Sequence, residues 1–277
     1  MAKGQRNLES LQKCKGYGAL TSTMYLQPFC KNKTVYKYMD FETAIICLTN
    51  SSIRFVEPTE WLDKYEGRFY EANYSEVCKD TNYTPKLYAC CFTLNKTSEA
   101  AWKTYSYNKN GLAYRCLQFK IDLSKLRNLL NDYCSSNNMT LYESKMNYEL
   151  TDEELNSIHL AKSPLHVSYF EDFSLQSYLT LLSLKRTAFY YEDELRYFIV
   201  PNNRITDKTL FVNFQWKDVV TEIFVDEKTT DTELEIVTKY CKNSGIVIVE
   251  NNKKGVHLNR FSLYNMKNGR VNVEKCL

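Results

Sequence analysis

Two glutamates and an arginine occur at alternate positions in the segment Glu192-Asp193-Glu194-Leu195-Arg196. Side chains two residues apart in a β-strand point to the same face, so an extended chain places Glu194 about 7 Å from Glu192 on one side and from Arg196 on the other. Such a trio can hold one carboxylate for hydrogen bonding to a substrate hydroxyl or for stabilising a developing cation. The plainer interpretation is an edge strand whose paired charges only face water.

A second set of candidate residues is aromatic. Trp102 and Tyr105 are three positions apart and therefore fall on the same side of a helical turn. They can wall a pocket by stacking on a planar ligand, and they can equally fill the core, where large aromatic side chains are common. Tyr36 and Tyr38 share one face of a predicted strand, and Lys37 takes the other face.

The elements that must position these residues are strands towards both ends of the chain and helices in the middle. This order predicts the α+β class, with a mixed, mainly antiparallel sheet and a helical insertion at about 123–185. Residues 1–33 are polar and basic and predict a leader. We expect residues 34–277 to form a single α+β domain, because no repeat or linker marks a boundary within them.

Two of the predicted helices have recognisable ends. Asp40 is typical of an N-cap for a helix over 41–48. An amphipathic helix is predicted over 230–242, and Asn243-Ser244-Gly245 closes it in the manner of a C-cap. A last strand is predicted over 246–250, directly after that glycine.

Composition narrows the classes of function. The chain has 277 residues, of which 44% are hydrophobic and 25% charged, as in ordinary globular proteins. It has only 8 glycines, and neither G-x-G-x-x-G nor G-x-x-x-x-G-K-[ST] occurs, which argues against glycine-rich phosphate loops. A net charge of +3 neither requires nor excludes a nucleic-acid partner, because the arrangement of charge matters more than its sum.

The cysteines and histidines predict no metal site. The 10 cysteines are dispersed without a C-x-x-C pair, and the 3 histidines have no metal-ligand spacing. The first thirty residues lack the apolar core of a signal peptide, and no run approaches the roughly 18–20 apolar residues of a membrane span. We therefore expect a soluble cytoplasmic protein with free thiols and no membrane partner.

The order of the segments resembles a bacterial and phage family, the one catalogued as domain of unknown function 2971. The resemblance covers about residues 34–260 and depends on an ordered set: Tyr36-Lys37-Tyr38, Cys91-Phe92-Thr93, Trp102-x-x-Tyr105, Gly111 and Glu192-x-Glu194-x-Arg196. The loop Pro58–Glu66 departs from the family in part. Trp61, Asp63, Tyr65 and Glu66 match by type, whereas Leu62 replaces the usual Asn and Lys64 the usual Pro.

The layout of that family is in turn similar to the ADP-ribosyltransferase architecture. This similarity implies NAD as the substrate, Glu194 as the catalytic carboxylate and Glu192 as the residue that orients the acceptor. It implies a set of NAD-binding residues: Tyr36, Lys37, Tyr38, Arg54, Trp102, Tyr105 and Arg196. Trp102 and Tyr105 would stack on nicotinamide, with Tyr36 and Tyr38 closing the other wall. Lys37 or Arg54 would pair with the pyrophosphate, and Arg196 would keep both carboxylates ionised.

The resemblance implies a protein or nucleic-acid acceptor and a setting in conflict between phage and host. On this hypothesis Glu194→Gln abolishes turnover of NAD and leaves the melting temperature nearly unchanged. A competing hypothesis is a non-catalytic module of a defence system that binds nucleic acid or another partner. Basic segments lie near both ends with aromatic residues close by, as in single-strand binders, although charged loops are commonly just solvated.

Overall fold

The structure is a computed structural model that describes residues 24–25, 31–61, 66, 86–96, 98–106, 115–153, 155, 175–203, 205–213, 215–226, 229–248, 256–260, 265–267 and 270–272. The chain divides into two compact units. Unit 1 comprises Met1–Lys31, Arg54–Cys91 and Arg127–Phe211, and unit 2 comprises Asn32–Ile53, Phe92–Leu126 and Val212–Leu277. The single domain over 34–277 stays a prediction. Most of the predicted leader 1–33 lies outside the described residues.

The elements belong to the α+β class predicted from the sequence, with mainly antiparallel strands. The strands are β1 (Met24–Tyr25), β2 (Thr34–Asp40), β3 (Ser52–Val56), β4 (Tyr88–Thr93), β5 (Cys116–Asp122), β6 (Met139–Lys145), β7 (Glu194–Pro201), β8 (Thr209–Asn213), β9 (Val220–Val225), β10 (His257–Arg260), β11 (Asn265–Lys267) and β12 (Arg270–Asn272). The helices are α1 (Phe41–Thr49), α2 (Glu99–Tyr105), α3 (Leu123–Ser136), α4 (Leu175–Leu181), α5 (Trp216–Val219) and α6 (Asp231–Asn243). Short 3₁₀ helices cover Pro58–Glu60 and Thr187–Glu192.

In unit 1 the neighbouring strands follow the order β1-β6-β7-β4, and β3 lies beside β4 and β8. Strands β6 and β7 are antiparallel, from Met139 opposite Pro201 to Lys145 opposite Leu195. Strand β7 is therefore an interior strand, and every residue in it except Pro201 is buried. Leucines of α4 and of the turn after it pack with Phe198 in the core of this unit.

In unit 2, β2 and β5 are antiparallel along their whole length, from Thr34 opposite Asp122 to Asp40 opposite Cys116. Strand β9 pairs antiparallel with β5, and β10 pairs parallel with β9. Trp216 is fully buried, and its indole N–H lies 3.0 Å from the carbonyl oxygens of both Cys47 and Ser52. This one side chain thereby fixes α5 against the end of α1 and the start of β3.

Several local expectations are confirmed. Asp40 caps α1, and its Oδ1 accepts a hydrogen bond of 2.8 Å from the backbone N–H of Thr43. Helix α2, from Glu99 to Tyr105, contains the predicted helical turn with Trp102 and Tyr105. Helix α6 ends at a Ser244 cap followed by Gly245, whose φ of +75° lies in the left-handed region that favours glycine.

Two local expectations are wrong. The segment 123–185, expected to be helical, contains strand β6 between α3 and the isolated bridge of Asn147 with Leu184. Residues 139–145 are extended because they pair along their whole length with β7, and such tertiary pairing overrides local pattern. The strand expected over 246–250 is absent from its described part, 246–248, where Ile248 forms only an isolated bridge with Val256.

The described cysteines include thiols that burial makes unreactive. Burial raises the pKa of Cys134 and Cys241 to about 12. Burial also raises the pKa of Cys116 well above its ordinary value. These thiols stay protonated near neutral pH and are poor nucleophiles. Within the described part of the chain, no helix is both long enough and apolar enough to cross a membrane.

The start of α6 generates a testable prediction. The Thr230 side chain accepts a hydrogen bond from the Glu233 N–H at 3.3 Å, and the Glu233 carboxylate accepts one from the Thr230 N–H at 2.7 Å. Thr230→Ala removes the cap and is expected to lower the free energy of unfolding by about 1 kcal/mol in urea denaturation. Thr238→Ala on the same helix removes only an exposed hydroxyl bonded to the Leu234 carbonyl, and stability should change by less than about 0.5 kcal/mol. Equal losses in the two variants would contradict the assignment of the cap.

Candidate functional site

Five charged side chains of unit 1 are buried in contact with one another: Glu66, Lys185, Glu192, Glu194 and Arg196. We call them the carboxylate cluster. Lys185 contacts all three carboxylates, since its Nζ lies 2.5 Å from Glu192 Oε2, 2.8 Å from Glu194 Oε2 and 3.1 Å from Glu66 Oε1. An ammonium group has three N–H donors, so each donor can serve one carboxylate.

Arg196 is the second cation of the cluster. Its Nε donates to Glu194 Oε1 at 2.7 Å, its Nη2 lies 2.7 Å from Glu66 Oε2, and its Nη1 donates to the Leu182 carbonyl at 2.7 Å. The Trp61 ring lies against the guanidinium group, with its centroid 4.2 Å from Cζ. The arginine is thus held by two carboxylates, a backbone carbonyl and an aromatic face, which fixes its orientation.

Glu194 is tightly constrained within the cluster. Arg196 holds its Oε1 and Lys185 its Oε2, so a cation lies at each oxygen. Its backbone N–H donates to the Tyr148 hydroxyl at 3.1 Å, and its carbonyl accepts from the Met146 N–H at 2.9 Å. Only 3% of the residue is exposed, so water screens these interactions very little.

The carboxyl groups of Glu192 and Glu194, which lie side by side in the cluster, differ in their affinity for a proton. Burial alone would favour the neutral form of Glu194, but Arg196 and Lys185 outweigh it and hold the pKa of Glu194 well below its usual range. Burial raises the pKa of Glu192, Lys185 offsets this only in part, and the charge of Glu194 adds to the rise. Glu194 is therefore ionised, and Glu192 is the member of this pair that takes up a proton first. Such divergent pairs are typical of acid–base sites.

The two cations stay charged. Burial disfavours the ammonium form of Lys185, but Glu194 and Glu66 outweigh it and hold the pKa of Lys185 above its ordinary value. Burial likewise opposes the charge of Arg196, and Glu194 more than compensates. Three carboxylates against two cations leave one negative charge, which a single proton on the cluster would cancel.

The structure places Glu192 next to Glu194 for a reason other than the one predicted. Glu192 ends the 3₁₀ helix Thr187–Glu192, and Asp193 follows it with φ 38° and ψ 59°, in the left-handed region. Strand β7 begins only at Glu194. The contact therefore depends on the shared Lys185 and not on the pleat of one strand. The interpretation as a water-facing edge strand is also wrong, because β7 is interior and its charges are buried.

The predicted aromatic residues lie in unit 2, where three of them form a packed group: Tyr38, Trp102 and Tyr105. The ring of Tyr38 is nearly parallel to that of Tyr105, 5.5 Å away, and meets the ring of Trp102 at 89° and 5.2 Å. Tyr38 and Trp102 are each 5% exposed and belong to a core cluster with Cys116. Tyr38 and Trp102 are thus core residues, whereas Tyr105 is half-buried.

The remaining predicted site residues are placed as follows. Tyr36 is a buried residue of β2 opposite Thr93 of β4. The Nζ of Lys37 lies 5.5 Å from the centroid of the Phe92 ring. Arg54 is half-buried on β3 and belongs to unit 1. A ligand site that uses these residues together with Glu194 stays a prediction.

Lys185 is a member of the site that sequence reasoning missed, and Trp61 and Glu66 were noted only as family matches. The signal for Lys185 is its position after the apolar run Leu181-Leu182-Ser183-Leu184. A charge that ends a buried run must find a buried partner, and the nearest acidic residues along the chain are Glu192, Asp193 and Glu194. Among the residues described, no group of three or more His, Cys, Asp or Glu is placed to hold a metal ion.

Comparisons with known proteins add little to this description. No protein-family model matches the chain, and no curated protein matches it. Among solved structures the chain is similar to Thermus sp. 2.9 DarT in complex with NAD+, with a TM-score of 0.35 and 8% sequence identity, over 83% of this chain and 96% of that chain. A TM-score this low supports no conclusion about the fold or the function. The resemblance to the domain of unknown function 2971 family stays a prediction.

The cluster generates a prediction about stability. Glu194→Gln is expected to lower the free energy of unfolding by about 3–5 kcal/mol, because it removes one partner of buried ion pairs. Glu192→Gln should cost only about 1 kcal/mol, since the amide oxygen still accepts from Lys185 and no buried charge has to be compensated. Urea denaturation near neutral pH measures both. This result would replace the sequence-based expectation of an unchanged melting temperature for Glu194→Gln, and equal losses in the two variants would contradict the asymmetry.

The stability difference between the wild type and each of these two variants should depend on pH, in opposite directions. The pKa of Glu194 in the folded state lies below the ordinary 4.5, so its stabilisation is complete above about pH 5 and is lost as the pH falls below 4.5. The wild type should therefore lose its advantage over Glu194→Gln in acid. The pKa of Glu192 is raised, so the wild type should lose stability relative to Glu192→Gln as the pH rises through that value. Differences that stay constant across pH 3–7, measured by urea denaturation, would rule out both shifts.

Proposed function

We propose that this chain is an ADP-ribosyltransferase-like protein that binds NAD and transfers or hydrolyses its ADP-ribose group. The acceptor in this proposal is a protein or a nucleic acid, and the setting is conflict between phage and host. The observation that supports the proposal is the ionised Glu194, held at both oxygens by Arg196 and Lys185. Cleavage of the nicotinamide–ribose bond develops positive charge on the sugar, and a fixed carboxylate stabilises that charge without reorganising.

Glu192 has a separate task in this proposal. Its carboxyl lies beside Glu194, shares Lys185 with it and has a raised pKa. A group that exchanges a proton closer to neutral pH suits an acceptor that must lose one on attacking the sugar. Arg196 and Lys185 keep Glu194 ionised while Glu192 changes its protonation state.

In this proposal the ligand must contact a carboxylate that is almost fully buried, that of Glu194. Both of its oxygens accept hydrogen bonds from cations and the residue is 3% exposed. A ribose hydroxyl that binds Glu194 must therefore displace one of these contacts or share an oxygen with it.

The test is binding and turnover of NAD. Binding should raise the melting temperature, and NAD at 100 times its dissociation constant stabilises a folded protein by about 2.7 kcal/mol. Release of labelled nicotinamide should be lost in Glu194→Gln, assayed at a temperature where circular dichroism shows the variant to be folded. Thr230→Ala, a destabilised variant outside the cluster, is the control and should retain turnover. A wild type that neither binds nor consumes NAD ends the proposal.

A second candidate function is a non-catalytic module that binds nucleic acid or a partner protein of a defence system. The burial of the carboxylate cluster favours this non-catalytic function, because a network of buried, mutually paired charges also serves to hold a fold together. Labelled single-stranded RNA or DNA should then bind with an affinity that falls steeply with salt. Glu192→Gln should leave that affinity unchanged, whereas it should alter turnover in an enzyme.

A further inference from the structure

We propose that Lys185 is the positioning residue of the carboxylate cluster: its ammonium group fixes Glu194 and holds Glu192 beside it. The geometry comes from the contacts alone, and only its catalytic consequence rests on the proposed function. In that reaction Glu194 is the group that would touch the substrate. Lys185 acts through it, by setting where the carboxylate lies and which of the two carboxyl groups has the proton.

The backbone of Lys185 is anchored independently of its charge. Its N–H donates to the Asn147 carbonyl at 3.0 Å, and the Asn147 N–H donates to the Ser183 carbonyl at 2.8 Å. The ammonium group also lies 5.2 Å from the centroid of the Phe189 ring. The side chain of Lys185 therefore extends from a fixed point of the backbone, and only 7% of it is exposed to water.

Lys185 is the cation that the two neighbouring carboxyl groups share. Its Nζ donates to Glu192 Oε2 and to Glu194 Oε2, whereas the contacts of Arg196 within the cluster are to Glu194 and Glu66. A proton taken up by Glu192 weakens its hold on the ammonium group. The attraction of Lys185 then falls more strongly on Glu194, which couples the proton on one group to the charge of the other.

The competing explanation is that Lys185 only neutralises buried charge. Unit 1 contains such a pair in Arg127 and Glu143, in which Nε and Nη2 of the arginine bond the two carboxylate oxygens at 2.7 and 2.6 Å. The Tyr197 hydroxyl also donates to Glu143, at 2.6 Å. This pair shares no residue with the carboxylate cluster, so Arg127→Met is a matched control for the loss of a buried cation.

The experiment titrates the carboxyl groups directly. In protein labelled with ¹³C at the glutamate carboxyl carbons, Glu192→Gln and Glu194→Gln assign the two signals by their loss. The wild type should show Glu192 titrating above the range of free glutamate and Glu194 staying ionised below it. Lys185→Met should move the midpoint of Glu194 upward by about 1 pH unit or more, because an opposite charge within hydrogen-bond distance is removed. Arg127→Met should move neither midpoint.

Lys185→Arg covers the case in which the methionine variant does not fold. The guanidinium group keeps the charge but cannot present three donors to three carboxylates from one atom, so the two midpoints should move towards each other. Folding of each variant is checked by near-ultraviolet circular dichroism. If both midpoints stay at their wild-type values in a folded Lys185 variant, the inference is overturned.

Turnover distinguishes this inference from the proposed function. Where the wild type consumes NAD, Lys185→Met or Lys185→Arg should lower kcat by about 100-fold with little change in KM, since a displaced catalytic group costs about that much. Arg127→Met, compared at equal concentrations of folded protein, should keep kcat. Absence of NAD turnover in the wild type ends the proposed function, while the carboxyl titrations still decide the role of Lys185.

Discussion

Burial of an uncompensated charge is so costly that five charged side chains can share the interior of unit 1 only by neutralising one another. Lys185 and Arg196 supply two cations for three carboxylates, and each cation must reach more than one partner. The surrounding elements are arranged to permit this. The turn after α4 delivers Lys185, the start of β7 delivers Glu194 and Arg196, and Glu66 is supplied from a distant part of the sequence.

The same contacts fit both a structural role and a catalytic role for the cluster. A network of mutually paired buried charges helps to hold the fold together, and it also fixes a carboxylate in one orientation. Enzymes need a carboxylate that is fixed in one orientation, and a supporting network of this kind supplies it. The surplus of one carboxylate distinguishes this network from the closed pair of Arg127 and Glu143, because it leaves a position at which a proton can come and go.

The sequence predicted those features that local physics determines and failed where distant residues decide. The Asp40 cap, the helical turn at Trp102 and Tyr105 and the glycine after α6 all follow from a few neighbouring residues. The pairing of β6 with β7 does not, and neither does the convergence of Glu66 and Lys185 on Glu194. Alternation correctly placed Glu194 and Arg196 on one strand, yet it had no means to show that this strand is interior or that Lys185 links Glu192 to it.

The placement of the three tryptophans gives the molecule built-in optical reporters. The Trp61 ring lies on the Arg196 guanidinium in unit 1, so its emission is sensitive to any movement of the charge beneath it. Trp216, in unit 2, is fully buried and its indole N–H is engaged by two carbonyl oxygens, which makes it a probe of intact packing. Two single-tryptophan variants, one that retains Trp61 and one that retains Trp216, can therefore follow the carboxylate cluster and the core of unit 2 separately without an added label.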